Sequence, residues 1–163
     1  LYGLSKYTSE KIVEIERKNK KSMILRFPII VGKNKKSSDF IKHTIDKGLK
    51  GEDVELFDNG KYYRNILHIS EAVNSIILAI NSNIDNDYVS INIGSSNSLK
   101  MKNICQFLID SFGFNSNIHF SDRKMSSNFD SFIDTSKASM INYNCISVKK
   151  NIQLLINEIN NNV

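Results

Sequence analysis

At 163 residues and 40% hydrophobic content the chain is sized for one domain with a buried core, and no apolar run nears the roughly 20 residues that cross a bilayer. The net charge of +5 is mostly lysine in short clusters, KNKK at 18–21 and again at 33–36. Without a zinc module, an aromatic RNA-binding signature or a helix-turn-helix, nucleic acid is discounted as a partner, and a membrane with it. Two cysteines, Cys105 and Cys145, are too few for a disulfide framework and lack metal-ligand spacing, so both read as reduced core thiols of a cytoplasmic protein.

In chain order, the spacing of Leu4, Thr8, Ile12 and Ile15 predicts a helix over 5–18. MILRFPIIVG at 23–32 is a continuous apolar run broken by one arginine. It predicts a strand buried on both faces over 22–27, with Pro28 ending the ladder and a turn or loop following. A helix is expected over 37–51, started by Ser37 or Ser38 and stopped by Gly48 or Gly51. The stretch 54–69 holds two β-like runs about a DNG turn, either a hairpin or a loop flanked by short strands. A serine-capped helix over 70–82, a strand over 88–94 and a helix over 98–113 closed by Gly113 come next. A short strand at 117–120, a polar loop at 121–133, a helical turn at 134–141 and a last helix at 147–161 complete the chain. Strands alternating with helices make this an α/β fold. Only two strands read as parallel, and a strand buried on both faces needs neighbours on either side, so the sheet reads as part of a larger one.

Two features point to chemistry. Tyr2 and Lys6 stand four residues apart, on one helix face. An ammonium beside a phenol favours the phenolate, which makes the hydroxyl usable as an acid or base, and the same ammonium can hydrogen-bond a ribose diol. An exposed-face coincidence is the alternative. The second feature is the scarcity of arginine, with only Arg17, Arg26, Arg64 and Arg123 in a lysine-rich chain. Where lysine supplies most positive charge, an arginine stands out for its planar fork, which suits phosphates and carboxylates.

YGLSK followed by a helix and then LRFPIIVG resembles the extended short-chain dehydrogenase/reductase family, the NAD-dependent epimerases and dehydratases of nucleotide sugars. FDNGKYYRNILHISEAVNSIILAI, SINIGSSNSLKMKNICQFLIDSFG and FIDTSKASMINY continue the resemblance in order, over about 1–155. It implies a partial Rossmann-type parallel sheet with a small C-terminal substrate-binding domain. Residues 1–36 would end the dinucleotide-binding domain and 37–163 would form mainly the substrate domain, with 88–94 returning to the Rossmann sheet. It also implies that Tyr2 is the acid/base on a sugar hydroxyl and that Lys6 holds the nicotinamide ribose, both touching the cofactor, NAD or NADP. Phe27, Pro28 and Ile29 would line the nicotinamide and sugar pocket. Arg64 would contact the nucleotide part of the substrate, and Arg123 would add a second phosphate contact. The substrate would be a nucleotide sugar and the full-length protein a homodimer.

Other readings stand beside these. Arg64 could pair with a surface carboxylate. His68 reads as structural, Arg26 as a buried ion-pair partner, Tyr62 and Tyr63 as packing, and Asp134 with Lys137 as a helix start. Two departures from the family pattern are Ile29, where many members carry Asn, and Glu71, where Asp is usual. No glycine-rich dinucleotide loop occurs in the chain. The expectation is therefore a C-terminal half of an epimerase or dehydratase, inactive alone. A reductase of the same family, or a non-catalytic nucleotide-binding or decayed half-protein, is the alternative.

Overall fold

Parallel pairing of strands far apart in the sequence organises the chain. The computed structural model describes residues 1–18, 20–34, 40–124 and 129–161. Helix α1 (Tyr2–Glu16) leads into β1 (Ser22–Arg26) and β2 (Ile29–Val31), followed by α2 (Phe40–Leu49), β3 (Val54–Phe57), β4 (Tyr63–Arg64) and β5 (Ile66–His68). Next come α3 (Ile69–Asn81), β6 (Tyr88–Asn92), β7 (Leu99–Lys100), α4 (Met101–Phe112), β8 (Ile118–Ser121), a 3-10 segment at Ser136–Ile141, and α5 (Val148–Asn160). The ladders β1–β6, β2–β5 and β3–β8 are parallel, and β4–β7 is antiparallel. The α/β class and the partial parallel sheet expected from the sequence are both present.

Two local expectations are corrected. Pro28 has no N–H and does interrupt the first ladder, but in place of the turn or loop expected after it, strand structure resumes at Ile29. The β-branched Ile29–Val31 run takes a new parallel partner, Ile29 opposite Ile66. The runs flanking DNG take the second of the two forms expected, a turn flanked by short strands rather than a hairpin. Asp58, Asn59 and Gly60 are successively left-handed, with φ of 51°, 55° and 59°, and this left-handed turn sends β3 to β8 and β5 to β2. Asp and Asn tolerate that region where β-branched residues would not. The second correction is at α3, where Ser70 is not the cap. His68 occupies that position, its Nδ1 accepting the Ser70 N–H at 3.3 Å. Gly113 ends α4 with φ 66°, its N–H reaching the carbonyls of Asp110 and Ile109, as its position predicts.

Side-chain alternation along β1 assigns a helix to each face. Met23 and Leu25 pack with Ala72 of α3 and with Val89 and Ile91 of β6. Arg26 points to the other face, toward α1. A second core joins β2 and β5 to α2, α4 and α5 through Val31, Ile66, Leu108 and Ile152. Polar side chains stitch the two regions together. Asn151 of α5 is fully buried, its Oδ1 accepting the His68 N–H at 2.7 Å while its Nδ2 donates to Ser95 Oγ at 2.9 Å. Asn65 grips the same loop from the other side, donating to the Ser95 and Asn97 carbonyls and accepting the Ser95 N–H at 2.8 Å. Gly94 is required beside it, because a Cβ there would lie 2.9 Å from Asn65 Oδ1.

Candidate active site

Helix α1 buries none of its residues, so something other than apolar packing must fix its position on β1. The Arg26 guanidinium grips Glu10, with Nε donating to Oε1 at 2.9 Å and to Oε2 at 3.1 Å and an Nη closing the fork. Glu10 is 17% and Arg26 49% exposed in the side chain, so the buried pairing expected of Arg26 is a pair at the helix–sheet boundary. The guanidinium hydrogen bonds hold the Glu10 carboxyl below the usual carboxylate range and raise the Arg26 pKa. Eight residues before Glu10, Tyr2 opens the helix. Lys6 Nζ lies 5.6 Å from the centre of the Tyr2 ring, so phenol and ammonium share one face and both are open to solvent.

Immediately after Arg26, Phe27 is half-buried against the core beneath α3. With Arg26, Asn92 and Phe132 it lines a cleft of about 210 Å³ at the carboxyl ends of β1 and β6, where ligands of open α/β sheets bind. Pro28 is half-buried beside it. Ile29 packs into the other core, with β2, so 27–29 divides between two cores. The Tyr2–Lys6 pair and the Phe27 cleft are linked through Glu10 and Arg26.

The two arginines that the sequence singles out both lie over rings. Arg64, on β4, donates from Nη1 to the Tyr63 carbonyl at 2.9 Å and to the Phe129 carbonyl. Its guanidinium carbon is 5.9 Å from the Tyr62 ring and 5.8 Å from the Phe129 ring. Partial burial lowers its pKa, opposed by the nearby Asp130 charge. Arg123 lies 5.3 Å from the Phe57 ring, and its carbonyl accepts the Asp58 N–H at 3.2 Å. Stacking and forked donation use the planarity that lysine lacks.

The remaining candidates take structural places. His68 caps α3, and its Nε2 lies 3.2 Å from Glu158. Tyr63 packs on Phe132 with ring centres 5.0 Å apart. Asp134 accepts the Ser136 N–H at 2.9 Å at the start of the 3-10 segment. Glu71 accepts the Tyr143 hydroxyl at 3.0 Å, and burial together with that carboxylate raises the Tyr143 phenol far above its usual pKa. Sequence reading missed Glu10, Phe57 and Phe129. Only Glu10 had a signal, as a carboxylate on the helix before an arginine-bearing strand. Among the described residues no helix is long and apolar enough to cross a membrane, and no His, Cys, Asp and Glu cluster could hold a metal.

Comparison with known proteins gives a consistent result. The model of the NAD dependent epimerase/dehydratase family matches residues 1–94. A protein of Methanocaldococcus jannaschii that carries the name UDP-glucose 4-epimerase is 23% identical over 99% of this chain and 53% of its own length. The chain spans about half the length of the curated relatives it matches. Among solved structures, a Thermotoga maritima UDP-glucose 4-epimerase with UDP-glucose superposes at TM-score 0.84 and 19% identity, over 99% of this chain and 53% of that one. A Bacillus cereus UDP-glucuronic acid 4-epimerase with UDP-glucuronic acid and NAD superposes at 0.81 and 20% identity, with the same coverage. The superpositions carry the fold; the family match, covering more than half of the chain, carries the kinship: the chain belongs to the NAD dependent epimerase/dehydratase family.

Proposed function

We propose that this chain is the C-terminal half of a nucleotide-sugar epimerase or dehydratase, in which Tyr2 exchanges a proton with a sugar hydroxyl. The observation that carries the reading is the Tyr2–Lys6 pair, phenol and ammonium facing one another on a helix anchored to the parallel sheet. When bound, NAD would supply the acceptor and donor for a hydride of the sugar. The residues present fit its nicotinamide ribose end, because Lys6 offers three ammonium donors to a diol and Phe27 offers an apolar surface at the strand end. A glycine-rich loop for the pyrophosphate is not among these 163 residues and would come from the other half.

Within this chain the division of labour follows from position. Tyr2 holds or releases the proton at its hydroxyl. Lys6 orients the ribose with its ammonium donors. The Glu10–Arg26 fork sets where the helix stands, and Phe27 with Pro28 beside it lines the nicotinamide and sugar pocket, while Ile29, expected there from the sequence, packs into the other core. Arg64 takes the nucleotide part of the substrate and Arg123 a second phosphate, each charge spread beside a ring. Residues 1–36 belong to the dinucleotide-binding domain, 37–163 mainly to the substrate domain, and 88–94 returns to the sheet. Leu4, Ile12 and Ile15 face away from Glu10 and are 64%, 54% and 74% exposed. A stripe on the side of a helix remote from its own sheet suits a homodimer.

In the full-length protein, Tyr2→Phe is expected to keep NAD binding and to lose turnover by roughly 10²–10⁴-fold, the usual yield of a positioned acid/base. Turnover at the wild-type rate in that variant removes Tyr2 from the mechanism.

A further inference from the structure

We infer that the cleft at the carboxyl ends of β1 and β6 recognises a neutral acylamino group carried by the sugar of the substrate. Arg26 and Asn92 are register partners in the β1–β6 ladder. Their side chains therefore leave the same face of the sheet, on strands about 4.8 Å apart, and both line the cleft. The fork to Glu10 uses only Nε and Nη2 of Arg26, and Nη1 meets no acceptor among the described residues. Asn92 donates from Nδ2 to the Asp134 carbonyl at 3.0 Å. A carbonyl can only accept, so the amide nitrogen is the atom that faces it. Asn92 Oδ1 is left without a donor among the described residues. The cleft thus offers one N–H and one acceptor oxygen on neighbouring strands.

An amide group carries the complement, a C=O for Arg26 and an N–H for Asn92. Charge and shape narrow the choice. The Arg26 charge is already matched by Glu10, and the Asp134 carboxylate adds a negative charge at the cleft, which disfavours an anionic group. An ammonium would leave Arg26 Nη1 without an acceptor. A hydroxyl meets both partners but leaves most of the cleft, about 210 Å³, unfilled. Phe27, Phe132 and Ile133 supply apolar walls, and the Phe132 ring is 66% exposed. Such walls suit the carbon end of an acyl group.

The walls of the cleft assign the group to the sugar rather than to the cofactor. Residues 132–134 form one side, and they are tied to the strand that carries Arg64. Ser131 donates its N–H to the Tyr63 carbonyl at 3.0 Å, and Tyr63, next to Arg64, packs on Phe132. Neither Tyr2 nor Lys6 lines the cleft. The inference rests on the nucleotide-sugar reading above and narrows it to sugars that bear an acylamino substituent.

Equilibrium binding to the full-length protein tests it, with UDP, UDP-glucose and UDP-N-acetylglucosamine as probes in calorimetry. The acetamido probe is expected to bind about tenfold tighter than UDP-glucose, the yield of one well-made hydrogen bond. Asn92→Ala should abolish that preference and leave UDP and UDP-glucose within about twofold of wild type. Equal binding of the two sugars by wild type, or tighter binding of UDP-glucose, overturns the inference, and so does a preference that survives Asn92→Ala. A second pair of probes checks which molecule brings the amide: NAD, and its acetylpyridine analogue, which keeps the C=O and lacks the N–H. Asn92→Ala should leave the ratio of their affinities unchanged. A ratio that moves gives the cleft to the nicotinamide and overturns the inference. If Asn92→Ala fails to fold, UDP binding falls with it, and the wild-type ratio decides together with Phe132→Ala. That variant should weaken the acetamido probe at least about threefold and spare UDP-glucose; an equal loss for both sugars counts against the acyl wall. Failure of wild type to bind any of the three UDP probes removes the nucleotide-sugar reading itself. Binding of UDP without a preference between the sugars leaves that reading standing and removes only this inference.

Discussion

Asn151 shows how much one buried amide can hold. Its side chain satisfies the His68 N–H, Ser95 Oγ and the Ser147 carbonyl at once, joining α5 to the strand that feeds α3 and to the loop after β6. Ser95 Oγ passes the connection on to the Ile66 carbonyl. Asn151→Ala strips the partner from a fully buried N–H and leaves Ser95 without its donor. The expected loss is about 1–3 kcal/mol of stability per stranded group, read as a lower urea midpoint with an unchanged slope. A midpoint within error of wild type would mean that water replaces the amide without cost. An exposed asparagine such as Asn157 should tolerate the same change.

At the level of elements, helices were the most legible. The sequence placed each of them to within a few residues, including the glycine stop of α4; the cap of α3 fell to His68 rather than Ser70, and the start expected for α2 at Ser37 or Ser38 lies outside the described residues. Strand pairing was far less legible. The DNG turn has a hairpin's composition, but three consecutive left-handed residues and two distant parallel partners override it, and neither leaves a local mark in the sequence. The Tyr2–Lys6 pair was legible because helix periodicity alone brings i and i+4 together. Glu10 was legible only as a question, through Arg26, and the ring beneath each arginine was not legible, because Phe129 and Phe57 reach them through tertiary folding.

Helix α5 offers an element-scale test. Its Glu158 accepts the Lys33 N–H at 3.0 Å and faces His68, pinning the end of β2 and the cap of α3 to the last helix. The backbone hydrogen bond, with the imidazole second, holds its carboxyl below the ordinary value of 4.5. A folded-state pKa below the unfolded one means that this contribution is present above about pH 4.5 and is lost as pH falls through the lower, folded value. Glu158→Gln should lower Tm near neutral pH by no more than about 3 °C, as fits a pair whose carboxylate is partly exposed though its imidazole is buried, worth at most about 1 kcal/mol. The gap should close as wild type is acidified below pH 4.5. A gap that widens on acidification reverses the sign and the assignment.

Taken whole, the chain carries more apolar surface outside than a finished monomer needs. Besides Ile69, Val73, Ile76 and Ile80 of α3, Leu4, Ile12 and Ile15 stand out from α1, and among the described residues β1 pairs with β6 alone. Such features drive association. Studied alone, the 163-residue chain should show an average mass that rises with concentration in sedimentation equilibrium. Val73→Lys combined with Ile12→Lys should bring the mass back toward the monomer. A constant monomer mass for the unmodified chain would show that these surfaces are too small or too rugged to stick.

The parallel ladders also have a kinetic side. Ser22 meets Tyr88, and Val54 meets Ile118, so in each case most of a small domain's length must be synthesised before a strand finds its partner. Loop closure of this kind is paid before any contact rewards it, and it slows folding. On the ribosome, β1 emerges as Ser-Met-Ile-Leu-Arg, and the edge that β6 covers stays bare until Tyr88–Asn92 follows. Of the strands among the described residues, β1 waits longest for its partner, and that edge is the one longest open to a wrong pairing during synthesis.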